Sequence, residues 1–302
     1  MRVAHFSDPH LLSLTGARLG DFLNKRWLGA LNLLSNRSRH HKVEIFEALV
    51  EELNETCPEH VVATGDITNV AHDAEFQFSK KHFDCFKLGG NGVTVIPGNH
   101  DAYVAAGIDL FAKYFGGFAT SDEPFKWDDD NPWPLVRVRD RVAVIGLSTS
   151  HPTPWFQAWG AVGDEQLKRL EQRLGDPRLA GCFRLVAIHH PPTGRPAENR
   201  VRGLRDHQAF AEVLGRAGAE LVIHGHEHRD IRGSISGPEG QDIPVFGIQS
   251  ATYDGGSLAK RARYRVFDIE SGAEASARPT LRTHSLRVWN PEKNRFEDDP
   301  GD

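Results

Sequence analysis

Six short apolar runs, each ending abruptly in a polar cluster, constrain the fold of this chain more than any other feature. Each apolar part is about five residues long and rich in β-branched side chains, which is typical of buried strands. The runs read RVAHFSD, HVVATGD, VTVIPGNHD, RVAVIGLSTS, FRLVAIHHP and AELVIHGHEH. Stretches with helical spacing fill several of the gaps between them. Strands that alternate with helices predict a layered α/β domain.

Four helical faces are predicted from apolar spacing. They consist of Ile45, Phe46, Leu49, Val50 and Leu53, of Phe76, Phe83 and Phe86, of Leu167, Leu170 and Leu174, and of Phe210, Val213 and Leu214. Asp164 is the predicted N-cap of the third helix. After Pro244, the runs PVFGIQS, RYRVFDIE and TLRTHSLRVW are expected to complete a second sheet.

The polar clusters between Asp8 and His228 predict one functional site, because side chains beyond the carboxyl ends of strands meet at one edge of an α/β sheet. One site built from nearly the whole chain predicts a single domain over residues 1–289. Residues 290–302 are polar and acidic and are expected to fray.

Composition narrows the class of protein. The chain has 302 residues and a net charge of -5, so nucleic acid is not its expected partner. Cys57, Cys85 and Cys182 are widely spaced, which argues against a disulfide framework or a thiolate zinc site, and we expect all three to be buried. The first residues already form a predicted strand instead of a signal peptide, and no apolar run reaches the ~18 residues of a membrane span. A cytoplasmic protein is expected.

Nitrogen and oxygen donors without sulfur follow the predicted strands, which favours Mn, Fe or Zn as the bound metal. The candidate metal ligands are Asp8, His10, Asp66, Asn99, His189, His226 and His228. These are more ligands than one ion needs, and two neighbouring ions need a bridging carboxylate. Asp66 is the candidate bridge, because its strand follows that of Asp8 and is expected to lie centrally.

The order of these motifs resembles the calcineurin-like metallophosphoesterase superfamily. The matching segments are Asp8-Pro9-His10, Gly65-Asp66, Gly98-Asn99-His100-Asp101, His189-His190-Pro191 and Gly225-His226-Glu227-His228. The resemblance implies a four-layered α/β/β/α sandwich of two mixed sheets flanked by helices. It also implies a hydrolase with two divalent ions, of which Mn is expected to support activity best.

The resemblance further implies roles for individual residues. One metal would be held by Asp8, His10, Asp66 and His228, and the other by Asp66, Asn99, His189 and His226. The catalytic residues would be His100, which would donate to the phosphate or protonate the leaving oxygen, and Asp101, which would orient it. His189 is favoured over His190 as the ligand, and His224 is expected to pack or to support the site.

The expected reaction is hydrolysis of a phosphodiester or pyrophosphate bond by a metal-bound hydroxide, because bound metal lowers the pKa of water and two ions clamp both oxygens. The sequence has GNHD where the superfamily's serine/threonine phosphatases have GNHE, and no tyrosine follows Gly65-Asp66 as in purple acid phosphatases. Its HHPP turn is most similar to the phosphodiesterase branch. No GxSxG or GxxxxGK[ST] motif supports another mechanism.

Residues 16–42 form a basic amphipathic insertion. Leu19, Leu23, Trp27, Leu31 and Leu34 have helical spacing, and basic residues surround them. The segment could contact an anionic membrane as a peripheral anchor, hold a lipid tail as a lid, or dock as a plain helix. A lipid-facing lid would be similar to that of the UDP-diacylglucosamine pyrophosphatases, so a lipid-linked substrate is an alternative to a small phosphate ester.

Two further segments are candidates for substrate contact. The arginines Arg195, Arg200, Arg202 and Arg205 follow the HHPP turn and could bind a second phosphate or a headgroup, or lie in a solvated loop. The segment HPTPWFQAWG could line a pocket or pack in the core. A silent metal-binding scaffold and a nuclease are the remaining alternatives, and the sequence does not indicate the oligomeric state.

Overall fold

The computed structural model describes residues 1–12, 41–272 and 277–301. In those residues, the first sheet has the strand order β12-β11-β10-β1-β2-β3, and the second β4-β5-β6-β7-β9-β8. The strands are β1 Arg2–Phe6, β2 His60–Ala63, β3 Val93–Val95, β4 Leu135–Arg139, β5 Val142–Gly146, β6 Phe183–Ala187, β7 Leu221–His224, β8 Ile231–Ser236, β9 Asp242–Gly247, β10 Arg263–Glu270, β11 Thr280–Asn290 and β12 Arg295–Asp298.

Helices cover both outer faces. They are α1 Val43–Thr56, α2 Asp73–Phe83, α3 Gly89–Gly92, α4 Ala105–Phe115, α5 Asp164–Leu174, α6 Gly194–Ala197 and α7 His207–Ala217. The predicted cap of α5 is wrong by one residue, because Gly163 is the N-cap and Asp164 is the first helical residue. Within the described ranges, no helix is long and apolar enough to cross a bilayer.

Both sheets are mixed. In the first, β1, β2 and β3 run parallel and β10 lies antiparallel to β1. In the second, β5, β6, β7 and β9 run parallel and the edge strands β4 and β8 are antiparallel. The predicted sandwich of two mixed sheets flanked by helices is confirmed. The placement of the late strands is partly wrong, because only β9 joins the second sheet, whereas β10 and β11 extend the first.

Three apolar layers hold the sandwich together, and alternate residues of each strand enter different layers. In β1, Ala4 and Phe6 face the helices of the first sheet, whereas Val3 enters the layer between the sheets. In β7, Val222 faces α5 and α7, whereas Leu221 and Ile223 enter the central layer. A full burial of such a side chain contributes roughly 1.5–3 kcal/mol. Strands buried on both faces therefore read as continuous apolar runs.

Two peripheral expectations are wrong. The tail does not fray from residue 290, because β12 pairs with β11 and Phe296 is buried against Trp289. Cys182 is buried as expected, but Cys57 and Cys85 are exposed. Both exposed cysteines lie at helix ends, where the chain turns towards solvent.

Candidate metal centre

The carboxyl ends of the parallel strands from both sheets meet at one edge of the sandwich. The loop after β1 is held on the loop after β2, because Asp8 N donates to Gly65 O at 3.0 Å and His10 N donates to Asp66 O at 3.0 Å. In the second sheet, Gly225 N donates to His189 O at 3.1 Å. These bonds join the loops within each sheet, and His226 N, which donates to Asp8 Oδ2 at 3.0 Å, joins the two sheets at this edge.

Asp8, His10 and His228 form the first group of candidate ligands. His228 Nε2 lies 3.2 Å from Asp8 Oδ1 and 3.2 Å from His10 Nε2. His10 Nδ1 lies 3.2 Å from Thr68 O. Because a carbonyl only accepts, Nδ1 carries the proton and the lone pair of Nε2 points into the group.

Asn99, His189 and His226 form the second group. Asn99 Oδ1 lies 3.1 Å from His189 Nε2 and 2.9 Å from His226 Nδ1, and the two ring nitrogens are 3.3 Å apart. His189 Nδ1 donates to Thr64 O at 2.7 Å, so its Nε2 also presents a lone pair to the group.

The carboxylate of Asp66 lies between the two groups. Its Oδ2 is 3.8 Å from His10 Nε2, and its Oδ1 is 3.5 Å from His189 Nε2. The backbone N–H of His100 donates to Oδ1 at 2.8 Å and fixes the orientation of the carboxyl. One side chain is therefore placed to serve both groups, although its strand β2 lies one position from the edge of the sheet and not centrally as expected.

Five of the seven candidate ligands have a left-handed backbone. Asp8, His10, Asp66, His226 and His228 have φ between 44° and 72°. Such a conformation costs a non-glycine residue about 1–3 kcal/mol and persists only where the surrounding structure imposes it. Its concentration at one edge of the sandwich marks this edge as functional.

Two glycines make the close approach of these loops possible. A Cβ on Gly98 would overlap the carboxylate and backbone nitrogen of Asp66, and a Cβ on Gly225 would overlap Ser7 Oγ. Neither Gly98 nor Gly225 has a positive φ, so glycine is required at these positions because a side chain would not fit and not because of the backbone conformation.

The donor atoms fit divalent cations. Burial lowers the pKa of His189 and His226, which keeps both rings neutral, as ligation requires. Burial pushes the pKa of Asp8 upward, but its interaction with His228, whose Nε2 lies 3.2 Å from Oδ1, outweighs burial, and the pKa lies well below its usual range. Among the described residues, no donor with hydrogen-bond geometry reaches the buried Asp8 Oδ1. Converging lone pairs and carboxylate oxygens are the donor set that a divalent cation would bind.

His100 and Asp101 have different surroundings from those predicted. His100 Nδ1 donates to Asn69 O at 2.6 Å, and its Nε2 lies 4.0 Å from Asp66 Oδ2. Asp101 instead accepts from the backbone N–H groups of Ile67, Thr68 and Gly98, at 2.8–3.1 Å. The expectation that Asp101 orients His100 is therefore corrected, because the carbonyl of Asn69 orients the ring and Asp101 ties two ligand loops together.

The histidines adjacent to the ligands have supporting contacts. His190 Nε2 donates to Ala158 O at 3.1 Å, so its Nδ1 accepts from Thr149 Oγ1 at 2.7 Å, and neither nitrogen is left for a metal. His224 Nδ1 donates to Gly225 O at 3.0 Å, and burial lowers its pKa to about 4. These contacts agree with the preference for His189 and with a packing role for His224.

The four arginines after the HHPP turn are exposed, and they differ in their contacts. Arg202 Nη2 lies 3.5 Å from Glu227 Oε1, between the two histidines of the GHEH turn. The guanidinium of Arg205 stacks 3.3 Å from the centre of the Trp159 ring. Arg195 in α6 and Arg200 in the loop after α6 are exposed. Of the four arginines, Arg202 is therefore the one that contacts the GHEH turn of the candidate metal centre.

His41 was not predicted as a site residue. Its ring lies 4.9 Å from that of His10 and 5.9 Å from that of His228. His41 Nδ1 is 2.8 Å from Thr252 Oγ1, whose hydroxyl donates to Pro9 O. His41 has no motif around it, so only the fold reveals its place. Of the predicted insertion at residues 16–42, all but His41 and Lys42 lie outside the described residues.

Fold and site together define a metal-dependent phosphoester hydrolase. The calcineurin-like phosphoesterase family profile matches residues 1–230, and the chain belongs to that family. The family uses divalent metals in a dinuclear site. No curated protein sequence matches the chain significantly.

Solved structures share the fold at low sequence identity. A dimetal phosphatase from Danio rerio is 13% identical, with a TM-score of 0.60, 99% of this chain covered and 98% of the other. A purple acid phosphatase from yellow lupin seeds is 10% identical, with a TM-score of 0.55 and coverage of 99% and 52%. A chain described as a 5′-nucleotidase from Staphylococcus aureus is 15% identical, with a TM-score of 0.53 and coverage of 95% and 54%. The chain spans about half the length of the last two.

Proposed function

We propose that this hydrolase cleaves a phosphodiester or pyrophosphate bond, using two divalent ions held as the two ligand groups suggest. The observation that carries the proposal is the position of the Asp66 carboxylate between the groups, 3.8 Å from His10 Nε2 and 3.5 Å from His189 Nε2. When bound, such ions neutralise the phosphate oxygens and supply a nucleophile at neutral pH. Mn, Fe and Zn all suit these donors, and we propose Mn for activity.

Within this proposal, His100 acts on the substrate. The hydrogen bond to Asn69 O fixes its ring, and Nε2 faces the same space as Asp66 Oδ2. Because Nδ1 is occupied as a donor, a second proton on Nε2 is the one available to the leaving oxygen. We propose that Arg202, which lies beside the GHEH turn, binds a phosphate oxygen of the substrate.

The leaving group distinguishes an acid from a merely structural histidine. For His100→Ala, we expect a loss of about 10²–10⁴-fold in kcat with a poor leaving group such as an alkyl alcohol, and a much smaller loss with p-nitrophenol. Equal losses for both esters would contradict the proton-donor role. Metal content is the control, because His100→Ala should keep both ions.

A lipid-linked pyrophosphate is the second candidate substrate, favoured by exposed aromatic and basic side chains beside the site. A panel of a cyclic nucleotide, a glycerophosphodiester, bis(p-nitrophenyl) phosphate and a lipid-linked nucleoside diphosphate separates the candidates by kcat/KM.

The free state of all three cysteines fits a reducing compartment, and we propose the cytoplasm as the site of action.

A further inference from the structure

Two loops beside the metal site expose apolar side chains together. Trp155 and Phe156 are 54% and 78% exposed on the loop after β5, and Val201 is 47% exposed on the loop after β6. Ala158 N donates to Val201 O at 2.8 Å, so the two loops form one surface. Among the described residues, the other exposed large apolar side chains are Ile108 and Leu258. We name Trp155, Phe156, Val201 and the four arginines of the second loop the rim.

The turn that carries the two aromatic side chains is closed by hydrogen bonds and strained at Phe156. Gln157 N donates to Pro154 O at 3.2 Å, and Thr153 Oγ1 donates to Gln157 O at 2.6 Å. Phe156 has φ 64°, a conformation that favours glycine. A bulky side chain at this position costs about 1 kcal/mol or more and is not offset by burial, since Phe156 is exposed. Phe156 therefore occupies a strained position that its own burial does not stabilise.

The rim lies directly beside the candidate metal centre. Ala158 O accepts a hydrogen bond from His190, whose ring is 4.5 Å from that of His226. Ala158 is three positions along the chain from Trp155, a reach of at most about 10 Å. On the second loop, Arg202 lies 3.5 Å from Glu227. A ligand bound to the rim would therefore lie close to the candidate metal centre.

The charge of the rim is opposite to that of the whole chain. Its arginines Arg195, Arg200, Arg202 and Arg205 are all exposed, although the chain has a net charge of -5. The acids of the second loop are Glu198 and Asp206, and the carboxylate of Asp206 already accepts from Val162 N and Gly163 N. Cations around exposed aromatic side chains match the headgroups and interfacial layer of an anionic bilayer.

We propose that the rim is a docking surface for an anionic lipid bilayer. Trp155, Phe156 and Val201 enter the boundary between headgroups and acyl chains, and Arg195, Arg200 and Arg205 contact lipid phosphates. A single nucleic-acid strand is less well matched, because bases stack on aromatic rings but gain nothing from an exposed valine. The surface turns the metal centre towards the membrane whichever ester is hydrolysed.

Vesicle sedimentation of the full chain tests this proposal. We expect binding to phosphatidylcholine vesicles that contain phosphatidylglycerol, little binding to phosphatidylcholine alone, and weaker binding at high salt. Phe156→Gly is the informative variant, because glycine relieves the positive φ and should keep or raise Tm. Its partition onto anionic vesicles should nevertheless fall by about tenfold. The control Ile108→Ser, an exposed apolar residue of α4, should bind like the wild type.

Three results would overturn the docking surface. The first is no binding of the wild type to anionic vesicles at low salt. The second is unchanged binding of both Phe156→Gly and Trp155→Ser. The third is evidence for another use of the same surface. A loss of soluble diester hydrolysis that parallels the loss of vesicle binding would identify a substrate subsite, and preferential binding of single-stranded DNA would identify a nucleic-acid surface.

Discussion

Replacing Asp101 with alanine should destabilise the fold and also lower the activity. Its carboxylate accepts three buried backbone N–H groups and the hydroxyl of Thr68, which lies 3.0 Å away. Burial raises the pKa of Asp101 to about 6, so the group is ionised at pH 7.5. The alanine variant leaves three donors unpaired at roughly 1–3 kcal/mol each, which predicts a loss of about 3–9 kcal/mol. Water entering the vacated space favours the lower end.

Urea unfolding of the metal-free protein at pH 7.5, followed by tryptophan fluorescence, measures this loss. A decrease of about 3 kcal/mol or more is a large part of the 5–15 kcal/mol typical of a domain. Thr68→Val is the matched control, because it removes one of the four bonds and should cost about 1 kcal/mol. An Asp101→Ala protein that is as stable as the wild type but inactive would show that Asp101 does not tie the two ligand loops together. It would instead support the original expectation that Asp101 orients His100.

Three further outcomes are expected. Burial, with two nearby arginines, lowers the pKa of His60 to about 3, so the unfolded chain binds an extra proton and stability is lost as pH falls from 6.5 towards 3. In urea titrations of metal-free protein, His60→Gln should reduce the slope of the free energy of unfolding against pH by up to ~1.4 kcal/mol per pH unit. An unchanged slope would contradict the assignment. Gly98→Ala should lower metal affinity and kcat together, because its Cβ overlaps the bridging carboxylate; wild-type values of both would show that the loop yields. Cys57 and Cys85 should react with a thiol reagent in the folded protein, whereas Cys182 should react only on unfolding, and a count of three before unfolding would contradict its burial.

The convergence of the motif residues could be predicted because it depends on a general property of parallel strands. Asp8, Asp66 and Asn99 each follow a strand of the first sheet, and His189 and His226 follow strands of the second. Carboxyl ends of parallel strands share one edge, so apolar runs that end in ligands predict a site without any knowledge of side-chain contacts.

Other features depend on long-range geometry that no local pattern records. The strands β10 and β11 read as additions to the second sheet, but pairing of β1 with β10 places them in the first. Asp101 lies next to His100 in sequence, yet its carboxylate faces the backbone of the loop after β2. The position of His41 beside His10 likewise depends on tertiary structure.

Metal stoichiometry tests the central claim most directly. After chelation and reconstitution with Mn, elemental analysis of the wild type should find two ions per chain, and Asp66→Ala should lose metal together with hydrolysis of bis(p-nitrophenyl) phosphate. Ile108→Ser, at a position of α4 that is 48% exposed and is not one of the candidate ligands, is the control and should keep two ions. One ion per chain in the wild type, or two ions and full turnover in Asp66→Ala, would contradict a dinuclear centre bridged by this carboxylate.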